Sequence, residues 1–279
     1  MTTGSRIVSA LILVPIVAAV IFYAPSWLQA AAVVLVSVVS VFELAMMLIP
    51  PLQLLGQPVA DIKLARRGAA VGAPLCVSLL TAGFLVCFFY FHHPVTIIAM
   101  VVLLACIGAA WCGGIAYKLG SIVGMLVSFC YACLPWVCVW YLMRSGNIHE
   151  LVYLFTVVWL SEAAAYFGGL KYGKRPLAKL ISPSKTLEGL AFALLAGVVV
   201  AVLLAPLLRW GIPIYIYPGV GIATVLIATG GDLLMSVCKR FSGVSDSGSL
   251  IHGHGGILDC ADGVLAVAPF LLLWTMWLD

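Results

Sequence analysis

Charge is what this sequence has least of. Only 9% of its 279 residues are Asp, Glu, Lys or Arg, against about 25% in an ordinary soluble domain. Hydrophobic residues reach 64% and the mean hydropathy is +1.20. That scarcity excludes a soluble globular domain. Alternating segments of about ten residues are also missing, which excludes a membrane β-barrel. No internal repeat, heptad array or low-complexity tract is present. The nine cysteines contain no pair of CxxC pairs. Cys130 and Cys133 show that spacing once, whereas structural zinc normally takes four ligands. Cys76, Cys87, Cys106, Cys130, Cys133 and Cys138 lie inside apolar runs, where a thiol packs as a small hydrophobe.

What the chain does have is a series of apolar runs. A spanning helix takes about 20 apolar residues, and the runs predict spans at 7–24, 28–48, 69–91, 95–111, 121–142, 151–170, 187–208, 219–235 and 259–278. The first follows the single Arg6 and resembles a secretion signal, but eight further runs follow it and it reads as a retained span. The expected fold is an all-α polytopic integral membrane protein of about nine transmembrane helices. With the amino terminus in the cytoplasm, Arg6, Lys63, Arg66, Arg67, Lys118, Lys171, Lys174, Arg175, Lys179, Lys185, Lys239 and Arg240 fall inside, and only Arg144 and Arg209 outside. This is the positive-inside pattern, so the net charge of +4 reports topology and gives no reason to expect nucleic acid as a partner. Trp27, Trp140, Trp210, Trp274 and Trp277 stand near span ends, where indole prefers the headgroup layer. Two regions follow: 1–150 with about five spans, and 151–279, whose inner loops are polar, glycine-rich and dense in ionisable groups.

Acids in or near apolar spans are costly and mark function by default. Here they are Glu43, Glu162, Glu188, Asp232, Asp259 and Asp262. Glu43 stands alone in the second span, where a structural and a functional carboxyl are equally expected. The others gather at the inner ends of spans six to nine. Asp232, Ser236 and Lys239 or Arg240 share one helical face, and Asp259 and Asp262 are one turn apart at the start of the last span. Carboxylates at a membrane surface suit a hard divalent cation, and Mg²⁺ is typically held by one or two of them plus substrate phosphates. Gly253, Gly255 and Gly256 around His254 let backbone N–H groups approach an anion. Lys185 and Thr186, where the seventh span begins, are a second anion site. Together these features point to phosphate chemistry.

At this point the sequence resembles a family. Ser236, Lys239, Arg240, Asp246, Gly248, Ile251, Gly253-His254-Gly255-Gly256, Asp259 and Asp262 are similar to the carboxyl-terminal signature of the phosphatidate cytidylyltransferases, the CDP-diacylglycerol synthases. Trp159, Tyr166 and Gly169, and the block Ser182-Pro183-x-Lys185-Thr186-x-Glu188-Gly189, resemble two further family blocks. The resemblance covers roughly residues 159–265. It implies transfer of a cytidylyl group from CTP to phosphatidic acid at the inner leaflet, a Mg²⁺ requirement with room for a second, monovalent cation, a bacterial inner-membrane location and a homodimer. Ala30-Ala31-Ala32 and Gly113-Gly114 would permit close helix contact. The implied catalytic residues are Asp246, Asp259, His254, Lys239 and Arg240. Ser182, Lys185, Thr186, Glu188, Ser236, Gly255 and Gly256 would bind substrate, and Asp232, Asp246, Asp259 and Asp262 the metal.

Four positions depart from the pattern. Ser245 stands where the family has Lys, Cys260 where it has Arg, His252 where it has Pro, and Glu162 where it has Asp. Losing two cations removes charge-assisted contacts worth about 1.5–3 kcal/mol each, so the alternative is a weakened or divergent relative acting on another lipid phosphate. Other rivals are an integral-membrane nucleotidyl- or phosphotransferase with a polyprenyl or alcohol substrate, and a transporter using the acids as a relay.

Overall fold

Inside a bilayer no water is present to satisfy backbone N–H and C=O groups, so an apolar chain closes those bonds within helices. The structure is a computed structural model and describes residues 14–53, 72–91, 115–145, 148–251 and 255–278. It contains α1 (Val14–Tyr23), α2 (Ser26–Gln53), α3 (Gly72–Phe91), α4 (Ile115–Ala132), α5 (Leu134–Arg144) and α6 (Ile148–Tyr172). Then come β1 (Pro176–Ala178), β2 (Ser182–Thr186), α7 (Leu187–Leu208), a 3-10 turn at Ile214–Ile216, α8 (Tyr217–Phe241) and α9 (Ile257–Leu278).

Six stretches among the described residues are long and apolar enough to cross a membrane: Ser26–Leu52, Leu119–Arg144, Ile148–Tyr172, Leu187–Leu208, Ile214–Phe241 and Ile257–Leu278. The chain is therefore an all-α integral membrane protein. The expected span 95–111 and part of 7–24 lie outside the described residues, as does Gly113-Gly114.

The described residues divide into two compact units. One takes residues up to Val137 together with Cys238–Cys260; the other takes Cys138–Val237 and Ala261 onward. In the first, α2 packs along α3 and α4. Gly124 makes this close: a Cβ there would lie 2.7 Å from Ile49 Cγ1. Phe84 meets Phe129 edge-on at 5.0 Å, and Trp136 Nε1 donates to Ser40 Oγ at 3.3 Å. In the second unit α6 packs along α7. Close approach of α7 and α8 rests on a pair of glycines, since a Cβ on Gly221 would lie 2.6 Å from the carbonyl oxygen of Gly197. Small residues bring backbones together in this way where lipid offers no hydrophobic driving force. Several buried hydroxyls bond within their own helices, as Thr81 does to Val77 O and Thr224 to Val220 O, both at 2.8 Å.

Two features differ from the sequence expectation. Trp210, expected at the headgroup layer, is only 8% exposed. It stacks on Tyr217 at 5.6 Å and meets Tyr153 edge-on. The loop after α6 also contains a hairpin, with Pro176 paired to Thr186 and Ala178 to Ser182. Neither strand shows an apolar alternation from which pairing is legible.

Candidate functional site

The residues singled out by sequence fall into two constellations, one in each unit. In the second unit the hairpin leads directly into α7. Thr186 has extended φ and ψ (−120°, 153°) and caps the helix, its Oγ1 accepting the Gly189 N–H at 3.1 Å. Glu188, in the first turn, accepts the N–H groups of Lys174 and Arg175 at 3.0 and 3.1 Å. It thereby clamps the end of α6 to the start of α7. Both were expected as substrate ligands; in this structure each holds backbone. Ser182 is buried at the start of β2.

Lys185, one residue before the cap, forms an ion pair with Asp232 on α8. Their side chains remain 23% and 32% exposed. Glu162 on α6 lies in the field of both and faces α9, where a Cβ on Gly263 would come within 2.7 Å of its Oε1. Asp262 is buried and its Oδ1 accepts the Gly263 N–H at 2.7 Å. Its main-chain oxygen crowds α8 at Gly231, where a Cβ would lie 2.8 Å away. Ser236 is buried one turn beyond Asp232.

The first unit holds the signature loop. α8 ends in a Schellman arrangement: Gly243 (φ 68°) donates to Arg240 O at 3.1 Å and Val244 to Lys239 O at 3.0 Å. A left-handed residue at this position is ordinarily glycine. The reversed chain returns over the start of α9. Asp259 is the node of this loop. Its Oδ1 accepts from Lys239 Nζ at 2.9 Å. Its Oδ2 accepts from Ser247 N at 2.7 Å, Ser247 Oγ at 2.9 Å and Gly256 N at 3.0 Å. The last of these is half of a capping box, in which a third-position carboxylate reaches back to the cap residue's N–H. The Lys239 and Asp259 side chains are 16% and 7% exposed.

Asp246 is exposed and accepts from Ser245 Oγ at 2.6 Å. Gly255, at φ 98°, exchanges hydrogen bonds with Ile251, so its N–H is engaged within the loop. Arg240 occupies the last turn of α8. His252, Gly253 and His254 lie outside the described residues. Cys260 is half-buried.

Two residues matter more than their sequence positions suggested. Glu43, on α2, accepts from Ser247 Oγ at 3.1 Å, Ile257 N at 3.1 Å and Leu258 N at 3.0 Å. Ser247, buried at 5% exposure, bonds both Glu43 and Asp259. Glu43 had a signal, as a lone carboxyl in an apolar span; Ser247 had none beyond membership of a serine-rich loop.

Among the described residues no three His, Cys, Asp or Glu side chains gather into a metal centre. The donors nevertheless fit Mg²⁺ in one respect. They are hard carboxylate oxygens, two of them beside lysines, and Mg²⁺ commonly takes few carboxylates and completes its shell with water and substrate phosphates.

Comparison with known proteins follows the same lines. A model of the cytidylyltransferase family matches residues 4–277. A phosphatidate cytidylyltransferase of Staphylococcus aureus (strain COL) is 36% identical over 151 residues, 53% of this chain and 58% of that protein. One from Staphylococcus haemolyticus is 35% identical over 156 residues, 56% of this chain and 57% of the relative. One from Brucella suis is 41% identical over 128 residues, 44% and 46%. The chain thus spans about half the length of the curated relatives it matches.

Proposed function

The chain belongs to the cytidylyltransferase family, and from that premise we propose that it condenses CTP with phosphatidic acid, giving CDP-diacylglycerol and pyrophosphate. The observation that carries the reading is the pairing of Lys185 with Asp232 and of Lys239 with Asp259. In each pair a cation suited to phosphate is held beside a carboxylate suited to a metal.

In the proposed reaction a phosphatidate monoester oxygen attacks the α-phosphorus of CTP, and the bond to the β-phosphate oxygen breaks, releasing pyrophosphate. The attacking group needs no strong base, because its second pKa is about 6. Transfer of this kind asks the protein mainly for positioning and charge neutralisation. Lys185 and Lys239, with Arg240 at the end of α8, would hold phosphates. Thr186 and Glu188 would act by fixing the backbone from which Lys185 projects. The carboxylates available to Mg²⁺ are Asp246 and Asp259 in the first unit and, separately, Asp232 and Asp262 in the second; an ion held at either group would neutralise charge on the triphosphate. His254 would orient a phosphate or carry a proton. The finer topology belongs to the same proposal: nine spans, amino terminus and site on the cytoplasmic side of a bacterial inner membrane, and a homodimer.

Ser245 favours a second reading, an enzyme of reduced rate. Its hydroxyl donates to Asp246, where the family resemblance places a lysine.

The test is conversion of phosphatidate in membranes containing the protein, given Mg²⁺ and each of the four nucleoside triphosphates. Wild type should yield CDP-diacylglycerol from CTP, and Asp259→Ala should lose at least about 10²-fold in rate, the scale of removing one well-placed electrostatic group. Full activity in Asp259→Ala, or no product from wild type, overturns the assignment.

A further inference from the structure

The proposed chemistry makes no use of Glu43, yet no other carboxylate described in the first unit reaches so far along the chain: Ser247 and Leu258, both bonded to it, lie 204 and 215 residues away. Its Oε1 takes the Ile257 N–H and its Oε2 the Leu258 N–H, the first two donors of α9. Asp259 takes the next one back, Gly256 N–H. The start of α9 is therefore filled by the protein's own anions, and a phosphate would find these three donors occupied.

The same arrangement explains two glycines of the signature. A Cβ on Gly256 would run into Ser247 Oγ and Glu43 Oε2, and a Cβ on Gly248 would lie 2.7 Å from Glu43 Oε1. The space these glycines leave open is taken by a protein carboxylate. Ser247 completes the link, with Oγ 3.1 Å from Glu43 and 2.9 Å from Asp259.

We infer that Glu43 is the positioning residue for Asp259: through Ser247 and the first turn of α9, it fixes where the Asp259 carboxylate stands. This gives the chemically silent second span a part in the reaction. The inference rests on the proposed function only for its kinetic readout.

The experiment compares wild type, Glu43→Gln, Glu43→Asp and Ser247→Ala as full-length protein in detergent. Hydrogen–deuterium exchange is followed without metal or nucleotide, and the Mg²⁺ concentration for half-maximal transfer is measured separately. Glu43→Gln should accelerate exchange at Ser247, Ile257 and Leu258 while peptides of α6 and α7 keep their wild-type rates. The half-saturating Mg²⁺ should rise about 10–100-fold, as for loss of an outer-shell partner of a metal ligand. Glu43→Asp should recover part of both effects, and Glu43→Gln combined with Ser247→Ala should cost less than the two singles added. Unchanged exchange at the three amides overturns the inference, as does acceleration spread evenly over all helices, which would make Glu43 a residue of general stability. A wild type that makes no CDP-diacylglycerol removes the reaction, while the exchange comparison still decides the role of Glu43.

Discussion

Among the described residues each unit holds one lysine–aspartate pair, and the two are built differently. Asp259 of the first unit is 7% exposed and accepts three further hydrogen bonds besides that from Lys239. Asp232 of the second is 32% exposed and, among the described residues, is bonded to Lys185 alone. The difference lies in what would replace the lysine. A buried carboxylate with several fixed donors keeps its place when its cation leaves, because the backbone holds it. Among the described residues the Lys185–Asp232 pair has no such backbone support, although the Lys185 Nζ is itself buried, which weakens solvent screening of the pair. The first pair thus fits a pre-set anchor held by backbone donors, and the second a contact between two side chains alone.

Lys239→Ala against Lys185→Ala is the sharpest way to break this comparison. Removing Lys239 takes the cation from a carboxylate only 7% exposed, a change that should cost up to about 3–5 kcal/mol, less whatever the three remaining hydrogen bonds offset. Removing Lys185 should cost less than removing Lys239, because the Asp232 left behind keeps 32% of its side chain in solvent, and should also raise the KM for CTP. Thermal unfolding in detergent measures the first, steady-state kinetics the second; equal destabilisation by both would erase the distinction. Next in size, Gly256→Ala forces a methyl group against the Glu43 and Ser247 oxygens and should cost about 1–3 kcal/mol, the range for overpacking. Gly230→Ala is the control within α8, because nothing lies within 4 Å of the added Cβ. Smallest, Thr186→Ala removes the cap of α7 and should cost about 1 kcal/mol, with a modest rise in KM for CTP because Lys185 is its neighbour. A KM unchanged in Thr186→Ala would detach the cap from the site.

Legibility in the sequence followed the range of the interaction. The span 187–208 coincides with α7, and 28–48 and 219–235 lie within α2 and α8, because hydrophobic runs and helical hydrogen bonds are both local. The hairpin before α7 was not legible, since its register depends on Glu188 and Thr186 holding the chain end against α6. Trp210 went inward because Tyr153 and Tyr217 offer faces for its ring. Within the site the residue types were legible, but their hydrogen bonds within the protein were not. Glu188 and Thr186 hold backbone, and Gly255 and Gly256 make room for Asp259 and Glu43.

The sequence by itself determined that this chain lives in a membrane as apolar helices, and it marked the acids, lysines and glycines on which the proposed chemistry rests. Hydropathy and helical period are properties of neighbouring residues and need no knowledge of the fold. Only the tertiary structure decided that Asp259 takes Lys239, that Asp232 takes Lys185, and that Glu43 crosses to the start of α9. Those pairings depend on which helix faces approach closely, and that is set by side-chain volume and small-residue contacts between segments far apart in the chain.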